Sequence, residues 1–168
     1  DNMTITKETA QFSTYTLKKV CSGVELSTEE VNGIVGKAIV VKEDAFFNSD
    51  KTKKYIYVSD DSEGKTIASN GSTVVTVTYR EAETYSYSVK SSTDVVLAEG
   101  SNFEGEIFNY SYPKYLTDAN GKVTHKIDGL TTFSASVVLS ENIDIQVPYT
   151  EYIGEAYYVE VEDKVSGT

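Results

Sequence analysis

Ser72-Thr-Val-Val-Thr-Val-Thr-Tyr79 reads as β-strand throughout. β-branched and aromatic residues suit a pleated, half-buried surface, and alternate residues face opposite sides of it. The pattern recurs just downstream. In Thr84-Tyr-Ser-Tyr-Ser-Val89, Tyr85, Tyr87 and Val89 fall on one face and Ser86 and Ser88 on the other. Working outward, strands are expected over residues 12–20, 34–41, 55–58, 95–98, 104–110, 123–127, 133–139, 143–147 and 156–161. Ten or eleven short strands at regular spacing predict an all-β chain, an antiparallel β-sandwich or jelly roll of the immunoglobulin-like kind.

Three Asn-Gly pairs punctuate the pattern: Asn32-Gly33, Asn70-Gly71 and Asn120-Gly121. Asn-Gly tolerates the positive φ of a type I′ turn, so each predicts a hairpin. Asn70-Gly71 is expected to join residues 65–69 to 72–79, and Asn120-Gly121 to join 115–119 to 122–127. At most one short helix is expected, over residues 27–32, where Ser27 and Glu30 have capping-box spacing and Gly33 follows. Residues 44–54, polar around Phe46-Phe47, read as a loop. The chain has 168 residues, enough for one core without staples. A single domain over 1–168 is expected; the alternative is two small immunoglobulin-like modules split near Gly100.

Charge excludes some function classes. The chain carries 26 acidic against 15 basic residues, a net −11, and Arg80 is its one arginine. Nucleic-acid binding needs clustered Lys and Arg to replace phosphate counterions, so neither nucleic acid nor an anionic lipid surface is an expected partner. No apolar run is long enough to span a membrane as a helix. Asp1 opens the sequence without an initiator methionine, as a mature or trimmed product would. Asn2-Met-Thr4, Asn70-Gly-Ser72 and Asn109-Tyr-Ser111 fit the N-glycosylation pattern. An extracellular or cell-surface location is expected.

No motif for catalysis is found. His125 is the one histidine and Cys21 the one cysteine, so a zinc site lacks ligands and an internal disulfide lacks a partner. There is no Gly-x-Ser-x-Gly elbow and no Gly-rich phosphate loop. The chain is therefore not expected to be an enzyme, and no cofactor is expected. A small glycosidase using paired carboxylates is the alternative from the enzyme class. Two acidic turns are weak calcium candidates, one with Asp60, Asp61 and Glu63 and the other with Asp118 and Asn120. Neither carries the six to eight oxygens of a full calcium site.

Tyrosine is in excess: 13 residues, with no tryptophan. Tyr combines a large apolar face with a polar tip, which suits protein contacts and sugar stacking. Tyr85, Tyr87, Tyr110, Tyr112 and Tyr115 are the candidate contact residues. At the start of the chain, Asn2-Met-Thr-Ile-Thr-Lys7 alternates like a strand with Met3 and Ile5 on one face. No turn signal ties it back, so it is a candidate strand donor to a neighbouring sheet edge.

Leu116-Thr-Asp-Ala-Asn-Gly-Lys-Val-Thr124, followed by Gly129-Leu130, resembles a hairpin of bacterial immunoglobulin-like surface repeats, including the Cna B-type modules of adhesins and pilins. That resemblance implies a secreted stalk or pilus module, sometimes with a Lys–Asn isopeptide bond. Lys18 and Lys19 stand in an early strand, but the last expected strand has no Asn and Asn142 comes one strand too soon. No such bond is expected. The expectation is a surface structural or adhesive subunit that self-associates by strand addition, or binds another surface protein. A carbohydrate-binding module is the alternative.

Overall fold

The computed structural model describes residues 9–154. These form thirteen strands and no helix, so the fold is all-β. The chain divides into two compact units between Glu83 and Thr84. Gly100, where the alternative two-module reading places its boundary, lies inside a strand of the second unit.

The first unit is a five-stranded sheet in the order β2-β1-β5-β4-β3. Its strands are β1 (Phe12–Cys21), β2 (Val24–Ile34), β3 (Phe46–Phe47), β4 (Lys54–Asp60) and β5 (Val74–Glu81). β1 and β2 close through Ser22-Gly23, with φ of 48° and 77°. Both residues being positive, this is the primed turn whose twist matches the strands it joins. The register carries Val31 opposite Tyr15 and Glu29 opposite Leu17. The helix expected over residues 27–32 is therefore wrong: the segment is the middle of β2. Its capping-box spacing is overridden by the ladder that the tight turn sets up. Asn32-Gly33 is no turn either. It pairs with Thr14 and Ser13 inside the ladder, and Gly33 is needed because a Cβ there would collide with Ile67 Cδ1.

The other two Asn-Gly pairs do turn the chain, but only their glycines have positive φ, 72° at Gly71 and 81° at Gly121. They are not type I′ turns. Asn70 and Asp118 instead accept nearby backbone N–H groups with their side chains, Ser72 N at 3.1 Å and Asn120 N at 2.9 Å, as Asx turns do. Phe46-Phe47, expected as loop, forms β3 against Tyr55 and Lys54.

The second unit begins with β6 (Thr84–Ser91) and β7 (Val96–Phe103), followed by β8 (Ile107–Pro113), β9 (Tyr115–Thr117) and β10 (Val123–Ile127). β11 (Thr132–Val138), β12 (Ile143–Val147) and β13 (Tyr149–Glu151) complete it. They make three sheets: β12-β6-β7, β11-β8 and β13-β10-β9. β9 and β10 are the hairpin expected around Asn120-Gly121, in a shorter form.

Two pairings depart from the antiparallel expectation. β5 runs parallel to β1, and β12 runs parallel to β6. Each unit thus repeats one topology. A hairpin opens the unit, and a strand later in the sequence returns parallel to the first strand on its free side. Parallel neighbours need a long connection, here the residues between Cys21 and Val74 and those between Ser91 and Ile143.

Each unit has its own core. In the first, β5 alternates as read from the sequence: Val75, Val77 and Tyr79 are buried, packed with Cys21, Ile39, Tyr55 and Ile67. In the second, Val89, Val147, Ile127 and Tyr149 form the centre. A fully buried valine of this kind contributes about 1.5–3 kcal/mol. Tyr149 is wholly buried, and its hydroxyl donates to the carbonyl oxygen of Pro113, which satisfies its one polar atom.

Candidate functional site

A concavity lined by aromatic and charged side chains lies in the first unit. Strand parity puts Tyr15, Leu17, Lys19 and Cys21 on one face of β1. On the adjoining strands, Val75 stands beside Leu17 and Val77 beside Lys19, with Glu29 on the other side of Leu17. Residues 38–45 return along this face. They are tied down by the Ala38–Thr66 bridge and by Ile39 N donating to Lys65 O at 3.3 Å. Between segment and sheet is a groove of about 530 Å³, within the range that holds a small ligand.

Its floor is Leu17, Val77, Tyr79 and Phe46, with Tyr15 at one side. Phe46 is held edge-on to Tyr79, centroids 4.8 Å apart, and stacked on Tyr55 at 5.2 Å. Lys19 is a cation on an otherwise apolar strand face. Its ammonium lies 4.5 Å from the Phe46 ring centroid and 5.9 Å from that of Tyr79, where the ring quadrupoles attract it. Glu29, Lys42 and Asp44 supply polar side chains to the lining, and Glu30 borders it with its carboxylate turned to the opposite face of the strand. Glu30 Oε1 accepts from Thr16 Oγ1 at 2.8 Å. Burial, and then the charge of Asp44, pushes the Tyr79 phenol above its ordinary pKa, so it remains a neutral donor. No Ser, Cys or His lines the groove. The arrangement offers aromatic surface, two lysine cations and several hydrogen-bonding groups, which suits recognition.

The tyrosines picked from the sequence stand elsewhere, in the second unit. Tyr87 stacks on Phe108, centroids 4.0 Å apart, and Tyr110 neighbours Phe108 and Phe133, both at 5.8 Å. Tyr112 packs against the core, and burial raises its pKa. Tyr85 is half-buried on β6. Tyr115 is the most exposed of the five, with Tyr152 edge-on at 6.1 Å and Lys114 Nζ 5.7 Å above its ring. The structure brings Tyr87, Tyr110 and Tyr112 into one aromatic row with Phe108 and leaves Tyr115 outside it.

The aspartates of the two acidic turns are engaged by their own turns or by the adjoining strands. Asp60 accepts from the Tyr57 hydroxyl, from the Ser62 hydroxyl and from Ser62 N at 2.9 Å. Ser62, then Tyr57, holds Asp60 below its usual range, while the Asp60 carboxylate pushes Tyr57 up to about 12. Asp61 accepts from Thr76 N at 2.8 Å and pairs with Lys65 at 3.1 Å. Asp118 Oδ1 accepts from Asn120 N and Lys122 N, both at 2.9 Å. Glu63 is exposed. Among the described residues no three His, Cys, Asp or Glu side chains gather as a metal site.

His125 is bracketed by hydroxyls, Thr124 Oγ1 at 2.9 Å from Nδ1 and Thr93 Oγ1 at 3.3 Å from Nε2. Cys21 is a free, buried core thiol. Of the lysines considered for an isopeptide, Lys18 is exposed and Lys19 lines the groove. Asn142, in the other unit, accepts the backbone N–H of Ser86 at 2.9 Å. Met3 and Ile5 lie outside the described residues.

Sequence reading missed the groove. The signal was present in Tyr15-Thr-Leu-Lys-Lys-Val-Cys21, where Lys19 falls on the apolar parity. Nothing local, however, brings Phe46 and Tyr79 beneath its ammonium.

No protein-family model matches the chain, and no curated protein matches it. Among solved structures, one titled as the crystal structure of Mub-RV is similar at 14% identity and a TM-score of 0.28, covering 83% of this chain and 98% of its own. A type 2 repeat of the mucus binding protein MUB from Lactobacillus reuteri is similar at 10% identity and a TM-score of 0.26, covering 83% and 99%.

Proposed function

We propose that the chain is a non-catalytic, extracellular structural and adhesive subunit of a cell surface, and that it self-associates by strand addition. The observation that carries this reading is the repeated topology. Two all-β units in one chain each open with a hairpin and bring back a parallel strand beside it. Repetition of a β unit is a way to build reach and to multiply contact surface, and the strongly acidic balance keeps such a subunit soluble. Strand addition supplies main-chain hydrogen bonds along a whole edge, and a head-to-tail version of it extends into a filament.

Carbohydrate binding is the second reading, favoured by the groove of the first unit. Tyr15 and the partly buried Phe46 offer aromatic surface, while Glu29 and Asp44 offer hydroxyl acceptors, and sugar recognition combines those two elements.

One set of measurements tests both. The purified chain is applied to a glycan array and examined by sedimentation velocity and negative-stain microscopy across concentration. Binding that is lost in Tyr15→Ala but kept in Tyr115→Ala supports the groove. A protein that stays monomeric at every concentration and binds no glycan overturns both readings.

A further inference from the structure

The surface of the second unit contains a place where the negative charge of the chain gives out. Residues 107–113, Ile-Phe-Asn-Tyr-Ser-Tyr-Pro, carry no charge, and neither do residues 132–139, Thr-Phe-Ser-Ala-Ser-Val-Val-Leu. The fold pairs these two stretches with each other as β8 and β11 in an isolated two-stranded ribbon. Among the described residues, neither strand has a second strand partner, so the ribbon has two edges. Edges exposed in this way are normally blunted by charge, a proline or a bulge, because their unpaired N–H and C=O groups template a further strand. β8 ends in Pro113. β11 carries none of the three, and its register against β8 is unbroken from Thr132 to Val138. Ser134, Ala135 and Ser136 are exposed in succession, which leaves small side chains on both sides of the strand. At one end Val138 stands opposite Ile107, each 59% exposed.

We infer that the free edge of β11 pairs with β11 of a second copy of this chain. This rests on the self-association reading above and narrows it to one contact. The occupant follows from charge: two molecules of net −11 repel each other, and an uncharged edge lets them approach closely. Antiparallel pairing of identical strands centred on Ala135 sets Ser134 of one copy opposite Ser136 of the other, twice, about a two-fold axis. Such an isologous contact closes on itself, so β11 makes a dimer, and any filament needs a different contact.

The test is a charge swap. One variant carries Ser134→Lys with Ser136→Lys, and another carries Ser134→Glu with Ser136→Glu. Sedimentation equilibrium should show self-association weakened at least about tenfold in each alone, because like charges then face each other across the axis. Mixing the two should restore pairing as a heterodimer, which misfolded variants would not do. The lysine variant has a lower net charge than the wild type, so its loss of association cannot come from greater overall repulsion. If the wild type associates and the variants associate equally well, the β11 assignment is wrong while self-association stands. If the wild type is monomeric up to about millimolar concentration, where only binding too weak to matter would escape detection, self-association fails and this inference with it.

Discussion

Gly100→Ala is the substitution whose effect the structure specifies most closely. Gly100 lies in β7, directly opposite Tyr87 of β6. A Cβ built there falls 2.5 Å from the Tyr87 hydroxyl oxygen and 2.8 Å from Cζ, so the ring lies across the glycine. The ring cannot simply swing away, because Phe108 is stacked on it with centroids 4.0 Å apart and planes inclined by 23°. Giving up that stack costs about 0.5–1.5 kcal/mol, and an off-rotamer tyrosine costs about the same. Alanine returns about 0.5–1 kcal/mol by restricting the unfolded chain. The net expectation is a loss of about 0–2.5 kcal/mol, centred near 1, from the second unit. One kcal/mol corresponds to about 4–8 °C in a unit of this size. We expect calorimetry or amide exchange to show the loss in residues 84–154 and none in residues 9–83, the outcome if each compact unit folds on its own. In a Tyr87→Leu background the obstacle is gone, and the same Gly100→Ala change should then stabilise. Refutation would be a stabilised Gly100→Ala protein, an equal penalty in both backgrounds, or a shared loss of protection across both units.

Acid and alkali should both act through the Tyr57–Asp60 pair. Asp60 is held below its ordinary 3.8, so its contribution is complete above that value and disappears as pH falls through the lowered one. Tyr57, raised to about 12, contributes fully below its ordinary 10 and loses that contribution as pH rises toward 12. Tyr57→Phe should flatten the alkaline limb of a plot of Tm against pH, shrink the acid limb only in part because Ser62 holds Asp60 more strongly, and remove one high-pH phenolate from the ultraviolet titration; an unchanged alkaline limb would count against the pair. Reductant should leave Tm unmoved, because Cys21 is a single buried thiol; a large shift would reveal a disulfide between molecules. Millimolar calcium should change Tm little, since Asp60 and Asp118 already accept from their own turns and Asp61 from the backbone of β5. A rise above about 10 °C, well over 1 kcal/mol for a chain of this length, would show a site built differently.

The local pattern of residues was enough to establish an all-β chain with short strands, and the reason is period. Val75, Val77 and Tyr79 alternate with threonines, and a strand with one buried face has no other way to place them. Composition likewise set the acidic surface and the single thiol. Partnering is different, because it depends on residues far apart in the sequence. Ser27–Glu30 spacing is compatible with a helix cap, yet the turn at Ser22-Gly23 delivers that segment to β1 and the ladder takes it. Parallel return of β5 to β1 and of β12 to β6 leaves no local mark, since it depends on what lies beside each strand after long connections. The groove follows the same rule. Lys19 shows an unusual parity within β1, but only the path of residues 38–45 and the approach of Phe46 to Tyr79 make that lysine part of a cavity. The tyrosines fall to the same limit: sequence shows where they cluster, while packing against Phe108 and Phe133 decides which ring faces are left to meet a partner.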